Sequence, residues 1–191
     1  RIMDTELHGV RRIEPEVFRD HRGSYVEIFD TDKYCEVTDG RAFVQDDISI
    51  STQNVLRGIH GDTSTWKLIS CLHGRFYLVV INNDPSSPQY RQWEGFTLSD
   101  RNRLSILVPP RFGNGHYVLS EQAIFHYKQS SYYDRAGQFT LAWDDPELAV
   151  RVTAGTLRPA LLSRFVPSDG LYRRTRSPSF NPALTCVNVR Y

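Results

Sequence analysis

The segment Val55-Leu56-Arg57-Gly58-Ile59-His60, followed by Lys67, sets an arginine, a histidine and a lysine among apolar, strand-forming residues. Phe43-Val44 precedes it, and Leu68-Ile69 and residues 76–81 follow. Charge inside a sheet is costly unless it is paired, so such a cluster marks chemistry. His60 alone reads equally well as a satisfied core histidine. Three further pieces stand out: Tyr127 in Phe125-His126-Tyr127-Lys128, the paired acids in Trp143-Asp144-Asp145-Pro146, and Arg22 on a tight turn in Asp20-His21-Arg22-Gly23-Ser24-Tyr25-Val26-Glu27. Each taken singly is ordinary.

The first chemistry to test is metal binding. His60 is followed by Gly61-Asp62, with no histidine at position 62, and His73 comes too late for a second ligand. His116 adds one distant imidazole, a poor tetrahedral or facial set, so no metal is expected. Acid–base chemistry fits better. Removing a proton beside a ketone needs a base that works near neutrality and a group that stabilises the enolate oxygen. An imidazole held by a carboxylate, as Asp145 could hold His60, supplies the base. Lys67 supplies the cation, and the Tyr127 hydroxyl a proton donor for the opposite face. That inventory suits an epimerase and calls for no cofactor.

Strands must position these groups, because helical periodicity is scarce. Segments rich in Val, Ile, Phe, Tyr and Thr fall at 23–28, 43–51, 66–71, 76–81, 92–98, 104–108, 116–119, 123–129 and 139–143, between turn clusters such as Asn82-Asn83-Asp84-Pro85 and Pro109-Pro110. This reads as an all-β sandwich or barrel. In 74–81 the alternation fades into a continuous apolar run, as for a strand covered on both faces. A short helix is expected at 31–37, capped by Asp30, and a short turn after Ser99-Asp100. The 191 residues suit one domain over 1–150, with a carboxy-terminal extension over 151–191 where the strand pattern lapses into Thr, Pro, Ser, Arg and Gly.

Balanced charge, 23 Lys and Arg against 22 Asp and Glu, argues against nucleic acid as a partner. No apolar run approaches the roughly 18 residues that span a bilayer, and the amino terminus lacks a signal-peptide core. Arg1-Ile2 is read as added ahead of a natural start at Met3. Cys35, Cys71 and Cys186 form no CxxC pair and suit a reducing cytoplasm. The expectation is a cytoplasmic protein with no membrane partner.

In order, Asp20-x-Arg22-Gly23-x-Tyr25-x-Glu27, Phe43-Val44-Gln45-Asp46-Asp47-x-Ser49-x-Ser51, Val55 to His60, Lys67-Leu68, Leu98-Ser99-x-x-Asn102, Tyr127-Lys128 and Trp143-Asp144-Asp145-Pro146 resemble the dTDP-4-dehydrorhamnose 3,5-epimerase family from about residue 13 to 150. The resemblance implies a metal-free cupin, a double-stranded β-helix or jelly roll. It implies a homodimer whose amino-terminal strands reach across to the partner, and a nucleotide-linked 4-keto sugar as substrate. By position it makes His60 the base with Asp145 as its carboxylate, Lys67 the group at the C4 oxygen and Tyr127 the acid. It assigns Arg22, Gln45 and Arg57 to the diphosphate and sugar, places Tyr25 and Glu27 near the nucleotide base from the neighbouring subunit, and offers Tyr133 as a stacking surface.

The departures are specific. Where the family reads Gly-Phe-Ala-His-Gly-Phe, this chain has Arg111-Phe112-Gly113-Asn114-Gly115-His116. Arg-Gly-Leu-His-Tyr-Gln becomes Arg57-Gly58-Ile59-His60-Gly61-Asp62, and Val-Asp-Leu-Arg becomes Ile81-Asn82-Asn83-Asp84. Gly61, Asp62 and Asn114 imply a roomier, more polar sugar pocket, with Asn114 and His116 as substrate contacts. That resembles the branch acting on GDP-linked 4-keto heptoses in capsule synthesis. Whether C3 alone or both C3 and C5 invert stays open, as do two rivals: a nucleotide-sugar 3,4-ketoisomerase and a non-catalytic sugar-nucleotide-binding cupin.

Overall fold

Alternation along the strands sorts side chains into an inner and an outer set, and the fold follows from burying both. The computed structural model describes residues 1–150, and the extension over 151–191 lies outside the described residues. The elements are β1 (Ile2–Asp4), β2 (Arg11–Ile13), β3 (Val17–Asp20), β4 (Gly23–Val26), α1 (Thr31–Cys35), β5 (Gln45–Thr52), β6 (Leu56–Gly61), β7 (Lys67–His73), β8 (Arg75–Asn82), β9 (Trp93–Ser99), β10 (Ser105–Val108), β11 (Phe112–Val118), β12 (Gln122–Gln129) and β13 (Phe139–Thr140). A six-stranded sheet, β1-β2-β10-β7-β12-β5, faces a five-stranded one, β13-β6-β11-β8-β9. All pairings are antiparallel. From β5 to β12 the chain passes back and forth between the sheets, which is the jelly roll of a cupin. Ile2 pairs with Ile13, so the dipeptide read as added contributes to the sheet.

Strand β8 explains its unbroken apolar run. Phe76, Leu78 and Val80 point between the sheets, where Ile69, Ile106 and Phe125 also pack. Tyr77, Val79 and Ile81 point outward and are covered by Leu141, Trp143 and Leu148 from the segment after β13. A third cluster, with Trp66, Leu68 and Leu107, takes Tyr34 from α1 and also Phe29 and Phe43. Helix α1 starts as expected: Asp30 accepts hydrogen bonds from the backbone N–H of Asp32 and Lys33. The turn expected after Ser99-Asp100 is closed by Asn102, whose side chain accepts from Ser99 N and Leu104 N. No helix among the described residues is long and apolar enough to cross a membrane.

The register between β6 and β11 is irregular. Asn114 pairs with His60 and His116 with Arg57, so two steps on β11 match three on β6. The extra residue on β6 is a bulge that turns both Arg57 and His60 toward the interior. Gly58 makes it possible: its φ is 117°, and a Cβ there would lie 2.3 Å from Gly115 Cα. Gly58→Ala is expected to cost about 3 kcal/mol and lower Tm by on the order of 10 °C in a thermal melt.

His116 lies deep in this core, 4 % exposed, stacked on Phe125 with ring centroids 4.1 Å apart. Burial, with Arg57 nearby, pushes its pKa down to about 3. The folded state therefore favours neutral imidazole, so this stability is complete above the ordinary value of 6.5 and is lost as pH falls from there toward 3. The slope is about 1.4 kcal/mol per pH unit at most. Denaturant titrations between pH 6.5 and 5 are expected to show a flatter pH dependence for His116→Phe than for the wild type.

Candidate functional site

The inner face of the jelly roll carries polar groups at one end of its apolar core. On β7, Lys67 precedes Ile69 and Cys71 on the inward side and is only 7 % exposed. Its register partner on β12 is Gln129, and Tyr127 lies two residues back on the same face, packed against the core. From the facing sheet comes His60, half-buried, whose Nδ1 lies 3.0 Å from Thr140 Oγ1 on β13. Burial first, and then the charge of Lys67, hold the His60 imidazole below its ordinary value. Base candidate and phenol thus project from opposite sheets, with the ammonium within electrostatic reach of the base.

Beside them, β5 supplies Gln45, whose amide donates to Asp47 Oδ2 at 2.8 Å and whose Oε1 accepts from Tyr133 N at 2.9 Å. Gln129 donates to the same Asp47 oxygen at 2.9 Å. Arg57 Nε donates to Ser51 Oγ at 2.9 Å. Asn114 lies directly across from His60, and its Oδ1 is buried with no hydrogen-bond partner among the described residues. The structure therefore brings together His60, Lys67, Tyr127, Gln45, Arg57, Asn114 and the backbone of Tyr133 around one interior. Among the described residues no group of three or more His, Cys, Asp or Glu side chains is placed to hold a metal.

Two expectations need correction. Asp145 is not the group on His60: its Oδ2 accepts from Arg91 Nη2 at 2.5 Å and its Oδ1 from Glu147 N at 2.9 Å. Those two interactions hold its carboxyl below the usual range. The cause is the chain path, because residues after β13 turn onto the outer face of the five-stranded sheet, where Leu141, Trp143 and Leu148 pack. His116, expected as a substrate contact, is a core residue stacked on Phe125 and tilted against Phe76. Arg22 is not gathered here within the one chain, and Tyr25 and Glu27, expected from a neighbouring subunit, lie apart from the cluster in their own chain. Arg22 bonds Asp20, Glu27 bonds Lys33, and among the described residues β3 and β4 pair only with each other.

Two residues that touch this cluster were not assigned from sequence. Thr140 contacts His60 directly, and a lone threonine on a two-residue strand carries no motif. Asp62, read as pocket lining, instead has its Oδ2 3.9 Å from Lys67 Nζ. A carboxylate five residues before a buried lysine was the available signal.

A family model described as dTDP-4-dehydrorhamnose 3,5-epimerase matches residues 4–164, running past the lapse in strand pattern at 150. The dTDP-4-dehydrorhamnose 3,5-epimerase of Escherichia coli K12 is 35% identical over 153 residues, covering 78% of this chain and 83% of that protein. The dTDP-4-dehydrorhamnose 3-epimerase of Streptomyces niveus is 32% identical over 161 residues, covering 82% of this chain and 77% of that one. Among solved structures, the dTDP-6-deoxy-D-glucose-3,5-epimerase of Legionella pneumophila Philadelphia 1, in complex with dTDP-4-keto-L-rhamnose, is 36% identical with a TM-score of 0.75, covering 78% of this chain and 81% of that chain. With a matching model over most of its length and relatives at this identity, the chain belongs to the dTDP-4-dehydrorhamnose 3,5-epimerase family.

Proposed function

We propose that this chain is a cofactor-independent epimerase of a nucleotide-linked 4-keto-6-deoxy sugar, with a dTDP carrier as in its named relatives. The observation that carries the reading is the placement of His60 on one sheet and of Lys67 and Tyr127 on the other, around one interior. His60, with Nδ1 engaged by Thr140, takes the proton from the carbon next to the C4 ketone through Nε2. The electron pair moves onto the C4 oxygen as an enolate, stabilised by the Lys67 ammonium. Tyr127 then gives its phenolic proton to the opposite face of the same carbon, and exchange with solvent restores both groups. Asn114 Oδ1 accepts from a sugar hydroxyl, and Arg57 and Gln45 hold the diphosphate and sugar. The relatives named above are epimerases, which favours this reading over 3,4-ketoisomerisation.

We further propose that two copies associate. Ribbon β3–β4 carries Phe18 and Tyr25, 54 % and 67 % exposed, and edge strand β5 presents Ile48 and Ile50, 53 % and 55 % exposed. A second copy covering this surface would deliver Arg22, Tyr25 and Glu27 to the partner's site. Cys35 and Cys71 are both free thiols, in keeping with a cytoplasmic setting.

The reaction is tested by NMR in deuterated water with dTDP- and GDP-linked 4-keto-6-deoxy sugars and a GDP-linked 4-keto heptose. Wild type is expected to take up deuterium at C3, or at C3 and C5, while the ketone stays at C4. His60→Ala is expected to lose exchange by about 10²–10⁴-fold, and Tyr127→Phe to exchange without inverting. Because His60 acts in its neutral form and its pKa is depressed, kcat/KM should stay level at neutral pH and fall only below the ordinary imidazole value. A wild type that exchanges neither position sinks the epimerase reading.

Association is tested by sedimentation. Wild type is expected at about twice the 22.1 kDa of one chain, and Ile48→Glu/Ile50→Glu at the single-chain mass. A monomeric wild type overturns the dimer.

A further inference from the structure

We infer that Asp62 is the positioning residue of this site: it holds Lys67 in place and keeps it a cation. The inference rests on the reading of Lys67 as the group at the C4 oxygen. Two buried side chains of opposite charge face each other here, each 7 % exposed, with Oδ2 and Nζ 3.9 Å apart. At that separation the pair is electrostatic, which leaves the ammonium protons for other acceptors.

Asp62 is itself firmly held. Its Oδ1 accepts from Ser64 N at 2.9 Å and Thr65 N at 2.7 Å, closing the turn between β6 and β7. Its Oδ2, the oxygen toward Lys67, accepts from Gln138 Nε2 at 3.1 Å. Its own carbonyl accepts from Arg111 N at 2.7 Å. The short segment carrying Gln138 and Thr140 therefore touches both halves of the machinery, Asp62 behind the cation and His60 itself.

The charges around Lys67 make Asp62 decisive. On β6 stands His60, which is neutral when it acts as base. On β12 stand Tyr127, a neutral acid, and Gln129. Asp47 on β5 is already engaged by Gln45 and Gln129. Neighbouring β10 is Ser-Ile-Leu-Val and supplies no ionisable group. Burial pushes the Lys67 ammonium down and Asp62 pulls it back up. Burial likewise pushes the Asp62 carboxyl up, but Ser64, Thr65 and Lys67 outweigh it and hold it ionised.

Asp62→Asn isolates the charge, because an amide oxygen can still accept from Ser64 N and Thr65 N; Asp62→Ser serves as a second turn-compatible variant should the first fold poorly. The readout is the titration of Lys67 by NMR with ¹³Cε-lysine, assigned with Lys67→Met, beside the pH profile of kcat/KM for the sugar nucleotide. In Asp62→Asn, Lys67 is expected to lose its proton at least about one pH unit earlier than in wild type. The alkaline limb of kcat/KM should move by the same amount, and Asp62→Glu should bring it back toward wild type. The acid limb, set by His60, should not rise. A Lys67 titration that stays at the wild-type position in both Asp62→Asn and Asp62→Ser overturns the proposal. If Lys67→Met keeps wild-type exchange, the role given to Lys67 fails instead; if it abolishes exchange while the variants titrate normally, only the role of Asp62 falls.

Discussion

A strand shows alternate residues to each face, so two polar groups three apart in sequence cannot both look inward along regular β-structure. Everything in this site depends on breaking that rule once, between Arg57 and His60. The bulge against β11 places both inside the barrel, and Gly58 permits the close backbone approach to Gly115. Without the slip, His60 would point out among Tyr77, Val79 and Ile81. The position of Asn114 across from His60 follows from the same irregular register.

The second constraint is the cost of holding an ammonium between two sheets. Desolvating such a cation costs several kcal/mol, while an opposite charge near 4 Å returns about 4 kcal/mol at an effective dielectric of 20. These are close to balance. A lysine in that state is responsive: a negative charge developing on a substrate oxygen shifts the balance strongly toward the charged form. The carboxylate behind it must be rigid to act at 3.9 Å without collapsing onto the ammonium, and the turn donors and Gln138 provide that rigidity.

Sequence made the sheet architecture legible because strand periodicity and turn residues report local preferences. The continuous run in β8 and the cap at Asp30 both followed from such patterns. Strand β11 begins at Phe112 rather than near His116, since Gly-Asn-Gly reads as a turn until its tertiary neighbours require small residues there. Asp145 was misassigned because an acidic turn after a strand says nothing about which face the chain next crosses, and here it crosses to the outer one. Thr140 was invisible for the opposite reason: its contact with His60 comes from strand pairing across 80 residues, without local signature.

The Thr140 contact of His60 bears on how the proposed reaction would gain its rate. Thr140 orients the His60 ring through a hydroxyl, which adds no charge, and Lys67 opposes protonation of the imidazole in the resting site. In the proposed reaction His60 becomes an imidazolium near an ammonium, a repulsive pair in isolation. The same proposed step creates an enolate oxygen beside Lys67. On that reading both cations are stabilised by an anion that exists only once the proton has moved, so the electrostatics would favour the transition state over the bound ketone. Asp62 fits this arrangement because it compensates Lys67 from behind, keeping the resting site near neutrality without placing a negative charge where the enolate must form.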